Sequence, residues 1–474
     1  MSERFDLCVI GGGSGGLSVA AGAAQMGAKV ALIERGRMGG DCLNTGCVPS
    51  KALIAAAIRA QTLRDSDGFG IASVSPDINF ERVYAHIHSV IAAIAPHDSV
   101  ERFTGLGVRV FQAEAQFIRP DLLIAGDVLI RARRFVISTG SRPSIPPIPG
   151  LDRSGTLTNE SIFELRERPD HLIIVGGGPI GVELAQAFRR LGSAVTLVER
   201  LKILPRDEPE AVTIVREALR KEGVELFENA EVSSVARSAG KVEVAIRTDS
   251  GAPQLSGTHI LVAAGRVPDL ESLNLSAAGI EHGSTGIKVD ARLRTSNKKV
   301  FAIGDVCGGP QFTHIAGYQA GIVIRNALFS LPAKVNYDAL PWVTYTDPEL
   351  AHVGLTEAQA RAEGYSVSVL MEPLRANDRA LAERATDGLA KIVVVLGSGR
   401  ILGATLVAPH AGELIGLWGL AISQRLKLSA IAGMIAPYPT FSEISKRVAG
   451  QHFTPTLYSD RMRCVVRTIQ RLLP

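Results

Sequence analysis

Cysteine is scarce in this chain: there are five in 474 residues, an odd number. That count excludes a disulfide scaffold and points to a reducing, cytoplasmic setting. No CxxC or HxxxH spacing occurs, so no metal site is expected. No apolar run is long enough to span a bilayer. The opening "MSERFDLCVIGGG" lacks the basic leader, apolar core and small-residue cleavage site of a secretory signal. Charge of one sign is missing too: 51 Lys and Arg against 47 Asp and Glu leave a formal net charge of +4. With no dense basic stripe before the last dozen residues, nucleic acid is not an expected partner.

What is present describes an ordered globular protein, 46% hydrophobic and 21% charged. The length exceeds what one core supports, so several domains are expected. An internal repeat shows two of them. "DLCVIGGGSGGLSVAAGAAQMGAKVALIER" (6–35) matches "HLIIVGGGPIGVELAQAFRRLGSAVTLVER" (171–200) at a constant offset of 165, Gly11 onto Gly176 and Glu34 onto Glu199. Each copy reads as strand, glycine turn, helix and strand ending in Glu, which is a dinucleotide-binding βαβ unit. Gly11 and Gly176 suit the tight turn, and Gly13 and Gly178 the approach of a pyrophosphate to the backbone. Gly16 and Gly181 allow close helix–strand packing. Glu34 and Glu199 are placed to accept hydrogen bonds from a ribose diol. A carboxylate at Glu199 favours the unphosphorylated ribose of NADH over NADPH, although Arg200 and Arg206 lie nearby.

The expected fold is therefore α/β, with two Rossmann-like dinucleotide-binding domains plus a C-terminal α+β dimerisation domain. Punctuation such as "RPSIPPIPGL" (142–151) and "SLPAKVNYDALPW" (330–342) divides the chain. Residues 1–150 form the first dinucleotide domain, 151–268 the second, and 269–338 return to the first. Residues 339–453 carry no nucleotide motif and suit packing against a second subunit. Residues 454–474 form a tail.

"GGDCLNTGCVPSK" (39–51) holds Cys42 and Cys47 just before a helical pattern. Five residues of regular helix rise about 7.5 Å, too far for a disulfide. A bonded pair requires an irregular "LNTG", with Asn44 and Gly46 as the tolerant residues. Pro49 fits a first helical turn, which puts Cys47 where helix-end N–H groups stabilise a thiolate. Three readings stand: a zinc site, which lacks a second ligand pair; two unrelated structural cysteines; and a redox dithiol beside a flavin. Proximity to the dinucleotide motif favours the third.

Together with "STG" (138–140), "AAGRVPD" (263–269), "TSNKKVFAIGD" (295–305) and "YPTFSE" (438–443), these motifs resemble the flavoprotein disulfide reductase family over residues 5 to 453. The family includes dihydrolipoyl dehydrogenase, glutathione reductase and mercuric reductase. The resemblance implies a homodimer that binds FAD at the first repeat and NAD(P)H at the second. Electrons would pass from NAD(P)H through flavin to a Cys42–Cys47 disulfide and on to a small-molecule acceptor. It makes Cys47 the flavin-facing thiolate and Cys42 the outward exchanging thiol. Lys51 would lie beside the flavin, paired with Glu183, which aligns with Ser18 in the first repeat. The implied cofactor contacts are Gly11, Gly13, Ser14, Gly16, Glu34, Arg35, Gly40, Asp41, Lys51, Thr139, Gly140, Gly304, Asp305, Thr313 and His314. Gly176, Gly178, Pro179, Ile180, Gly181, Glu199 and Val232 extend that set, with Gly265 and Arg266.

Two features depart from the family. Dithiol-handling relatives carry His-Pro-Thr, whose His shuttles a proton across the dimer interface; here that position is Tyr438, with Glu443 retained. A phenol is a poor base at neutral pH. Mercuric reductases also carry Tyr there, but end in a vicinal cysteine pair, whereas this chain has only Cys464. The acceptor is accordingly expected to be a metal ion, a quinone or an unusual disulfide, with dihydrolipoyl dehydrogenase or a flavin redox sensor as the alternatives. His410 and His452 are expected to be buried and satisfied. The tail places Met462, Val465, Val466, Ile469, Leu472 and Leu473 at helical spacing beside Arg463, Arg467 and Arg471. It suits either packing on its own dimer or peripheral contact with an anionic membrane through 459–474.

Overall fold

The computed structural model describes residues 2–151, 155–238, 240–249 and 251–473. They form two compact units. The first comprises residues up to Asp65, Ser73–Arg200 and Leu226–Val335; the second comprises Ser66–Ala72, Leu201–Glu225 and the chain from Asn336 onward.

Both repeats lie in the first unit and fold alike. Strand Ser2–Ile10, helix Ser14–Gln25 and strand Val30–Glu34 are matched by His171–Val175, Pro179–Arg190 and Ala194–Glu199. The helices begin and end at the same offset as the glycines. In each copy the two strands pair in parallel, with Val9 opposite Leu32 and Ile174 opposite Leu197. The strands are apolar without alternation because both faces of a parallel sheet are covered. Leu7, Val9, Val30 and Leu32 bury on one face; Cys8, Ile10, Ala31 and Ile33 bury on the other. Strand Val128–Ile137 extends the first sheet in parallel, and Val300–Ala302 pairs alongside it, so the segment after the second repeat returns to the first sheet.

The second unit is built on a five-stranded antiparallel sheet in the order Pro341–Thr344, Glu349–Gly354, Ile401–Ala408, Leu389–Val395 and Val367–Pro373. Helix Ala411–Ser423 packs on it through the fully buried Trp418, whose indole donates to Ser445 Oγ at 3.1 Å. An ion cluster fixes Leu201–Glu225 to this unit. The Lys391 ammonium, 2% exposed, lies 2.9 Å from Glu208, 3.0 Å from Glu210 and 3.0 Å from Glu357. Burial alone would push this ammonium down, but the three carboxylates raise it overall.

The histidine expectation needs correction. His410 is exposed, in a left-handed conformation (φ 56°) ahead of helix Ala411–Ser423, and His452 is only half-buried, packed edge-on against Phe453. The buried histidine of this unit is His352. Its Nδ1 pairs with Thr405 Oγ1 at 2.7 Å, and burial pushes it down to about 4.

Candidate active site

The glycines of each repeat behave as their spacing predicts. Gly11 and Gly176 take φ of +104° and +116°, and a Cβ on either would sit 2.4 Å from a neighbouring carbonyl oxygen. A Cβ on Gly16 or Gly181 would lie 1.9 Å from the oxygen of Gly11 or Gly176. By contrast, a Cβ on Gly13 meets nothing nearer than the Gly40 Cα at 3.8 Å, and one on Gly178 meets nothing within 4 Å. The backbone is thus open at both helix N-termini, where a pyrophosphate needs close approach, and the cradle fits a dinucleotide in each copy.

Glu34 and Glu199 do more than the ribose expectation assigned. Glu34 accepts from Gly12 N at 2.5 Å and Gly36 N at 2.6 Å, and Glu199 accepts from Gly177 N at 2.6 Å, so each carboxylate braces its own glycine turn. Pro179 opens the second helix, while the neighbouring Ile180 is 37% exposed. Val232 buries its side chain in the core beneath the second sheet.

Cys42 lies in the short helix Gly40–Asn44, and Cys47 is the first residue of helix Cys47–Arg64. The irregularity between them falls on Thr45 (φ −143°) and Gly46 (φ −125°, ψ −113°). Asn44, expected to share it, is helical, and its amide donates to Gly40 O at 2.8 Å. Gly46 is required for space: a Cβ there would lie 2.9 Å from the Asp41 carbonyl oxygen. Asp41 anchors the loop, accepting from Thr45 Oγ1 at 2.7 Å and Asn159 Nδ2 at 2.9 Å, with Arg266 3.3 Å away.

The Cys47 sulfur approaches Thr313 Oγ1 at 3.5 Å, at the start of helix Thr313–Leu328. A hydrogen bond from Cys42 and another from Thr313, with the Lys51 charge one turn along the helix, lower Cys47 to about 6 against the opposing effect of burial. Cys42, as the donor and partly buried, is raised. Of the two thiols, Cys47 is therefore the one that favours the thiolate form. Lys51 Nζ sits 2.7 Å from Glu183 Oε2, and Glu183 is buried. The three other cysteines stand apart. Burial raises Cys8 and pushes Cys307 up to about 12, while Cys464 is exposed on the terminal helix.

Around the dithiol loop the structure assembles residues far apart in sequence. Arg266 Nε donates to Ser141 Oγ at 2.7 Å, and Ser141 Oγ donates to Asp305 Oδ2 at 2.6 Å. Burial raises the Asp305 carboxyl, with Ser141 and Arg266 opposing. Gly304 N donates to the buried Gln319 at 2.6 Å, which fixes the Asp305 turn. Arg35 pairs with Asp269 and Glu114, and Thr139 Oγ1 donates to Asp269 O at 2.8 Å; Gly140 follows at φ +72°. His314 is exposed and stacks on Phe312 at 5.3 Å. Sequence reasoning missed Ser141, Asn159 and Gln319, which belong to no motif.

Tyr438 and Glu443 lie in the second unit. Tyr438 is 69% exposed and its phenol donates to Asp378 Oδ2 at 2.9 Å. Glu443 opens helix Glu443–Gln451, with Arg447 3.9 Å from one oxygen and the other oxygen buried without a hydrogen-bond partner. Among the described residues no cluster of three or more His, Cys, Asp or Glu is placed to hold a metal ion.

Residues 5–320 match the family described as pyridine nucleotide-disulphide oxidoreductase, and 340–449 match its dimerisation domain. The chain is 36% identical over 441 residues to a mercuric reductase of Bacillus cereus, covering 93% of this chain and 70% of that protein. It is 36% identical over 452 residues to a dihydrolipoyl dehydrogenase of Geobacillus stearothermophilus, covering 94% and 95%. The solved Cu(II) complex of the HOCl-induced flavoprotein disulfide reductase RclA from Escherichia coli superimposes at a TM-score of 0.85 with 30% identity, covering 95% and 99%. The dimerisation domain supports a homodimer, and no helix among the described residues is long and apolar enough to cross a membrane. The chain belongs to the pyridine nucleotide-disulphide oxidoreductase family and is an FAD-dependent, NAD(P)H-using enzyme.

Proposed function

We propose that Cys42 and Cys47 are the redox couple of this enzyme and that a thiophilic metal ion takes the electrons. Bound FAD would supply the two-electron chemistry that links the nicotinamide to the sulfur pair. The first repeat holds FAD and the second the nicotinamide, with Glu199 favouring NADH. Lys51, oriented by Glu183, supplies fixed positive charge beside the couple. Cys47 holds the negative charge of the reduced pair, and Cys42 keeps the proton until it meets the acceptor.

Tyr438 is the observation that carries the choice of acceptor. Reducing a disulfide follows NAD(P)H + H⁺ + RSSR → NAD(P)⁺ + 2 RSH, so protons must reach both sulfurs. Reducing a divalent ion follows NAD(P)H + M²⁺ → NAD(P)⁺ + M⁰ + H⁺, with no proton delivered to the acceptor. An exposed phenol whose proton is already held by Asp378 is a poor shuttle, and the second reaction needs none. Relatives named mercuric reductase and the Cu(II) complex of RclA support the same reading.

NADH oxidation at neutral pH should be about 100-fold more efficient with mercuric ion than with lipoamide or glutathione disulfide, the scale of a lost proton shuttle. Fast lipoamide turnover would reverse the assignment in favour of dihydrolipoyl dehydrogenase. Negligible turnover with every acceptor would make the protein a redox sensor.

The tail has a separate proposed role, peripheral contact with an anionic lipid surface. Helix Asp460–Leu472 buries none of its residues in the single chain. Val465, Val466, Ile469 and Leu472 are 43–79% exposed on one face, and Arg463, Arg467 and Arg471 occupy the other. Full-length protein should sediment with vesicles containing phosphatidylserine and lose that binding in a chain lacking 459–474. Unchanged binding, or a weakened dimer with no vesicle binding in either form, would assign the helix elsewhere.

A further inference from the structure

Tyr438 is held more firmly than its exposure suggests. The turn that follows it is braced by Asn377, fully buried, whose amide donates to Thr440 O at 3.0 Å while its oxygen accepts from Ala380 N, also at 3.0 Å, and caps the helix Asp378–Ala382. Arg447 adds a second tie by donating to Ala376 O. These contacts bring Asp378, one residue beyond Asn377, beneath the phenol. The hydrogen bond at 2.9 Å consumes the one proton the phenol has to give. Two lone pairs remain on the phenolic oxygen, made more electron-rich by the carboxylate behind it.

We propose that Asp378 is the positioning residue of Tyr438: its carboxylate takes the phenolic hydrogen bond, so the phenol meets the electron acceptor with its oxygen lone pairs. Such an oxygen suits a metal cation and offers nothing to an anionic disulfide that needs a donor. This inference rests on the proposed metal acceptor and on Tyr438, which holds the place of the family's proton-shuttling His, facing that acceptor. Glu443 works in the same direction as Asp378 in keeping the phenol protonated, and Arg447 opposes them. Arg379, next to Asp378, is engaged by Glu383.

The test uses the flavin-loaded, full-length enzyme with NADH and mercuric ion in excess thiol. Asp378→Asn and Tyr438→Phe should each raise KM for the metal about tenfold with kcat nearly constant. In the Tyr438→Phe background, Asp378→Asn should add nothing, because its effect runs through the phenol. Flavin content and Tm, compared across the variants, report on folding. Additive losses, or a wild-type Asp378→Asn beside an impaired Tyr438→Phe, would overturn the role of Asp378 and leave that of Tyr438 intact. A wild-type Tyr438→Phe would remove Tyr438 from the acceptor site, and Asp378 with it.

Discussion

Replacing Cys47 with serine is expected to cut NADH-dependent metal reduction on the order of 10³-fold, because the flavin-facing sulfur of the couple is gone and a hydroxyl cannot be oxidised in its place. Cys42→Ala should lose comparable turnover for a different reason, leaving Cys47 without a bonding partner. The two variants separate in their chemistry. In the reduced wild-type enzyme, alkylation of Cys47 by iodoacetamide should rise as pH increases through about 6 and then level off, as the thiol gives way to thiolate. In Cys42→Ala the midpoint should move upward, since the Cys42 hydrogen bond is the largest stabiliser of that thiolate. Stopped-flow NADH consumption and mass-resolved alkylation give both readouts. A Cys47→Ser enzyme within tenfold of wild type would remove the pair from the reaction.

The two repeats permit a second large effect to be divided between cofactors. Gly16→Ala and Gly181→Ala place the same methyl 1.9 Å from the same carbonyl, Gly11 in one copy and Gly176 in the other. Neither helix can stay seated on its strand, and overpacking of this kind costs roughly 1–3 kcal/mol. Gly16→Ala should purify with less than about a tenth of its flavin, a loss of affinity of the kind such a displacement produces. Gly181→Ala should stay yellow and instead raise KM for NADH at least about tenfold. Flavin absorbance per chain and NADH titration measure the two losses. Flavin retained in Gly16→Ala, or lost in Gly181→Ala, would reverse the assignment of the repeats.

The glycine turns were legible in the sequence because backbone geometry dictates the residue type there. A carbonyl 1.9 Å from a would-be Cβ admits only glycine at Gly16 and Gly181, and a repeat at fixed offset shows that twice. The break between the cysteines was legible in kind but shifted in place. Asn44 keeps its helix by donating to Gly40 O, and the distortion passes to Thr45 and Gly46. The Asp41–Asn159–Arg266 cluster and Asp378 beneath Tyr438 were not legible. Those contacts join residues separated by 60 to 225 positions, and no periodicity or spacing marks side chains that only tertiary folding brings together. His410 and His452 misled for a related reason: residue type and position in the chain do not say which face a ring takes.

The cage around Lys391 limits how this gene can be cut. Because Glu208 and Glu210 belong to the unit that holds Lys391, the chain enters and leaves that unit more than once before residue 336. A fragment ending at residue 335 would carry Glu208, 3% exposed in the intact chain, without Lys391 and Glu357 N, the partners that hold it, so Leu201–Glu225 would lose its anchorage. Fusion partners and expression boundaries for the N-terminal portion therefore have to respect a lysine that lies 183 positions downstream of Glu208.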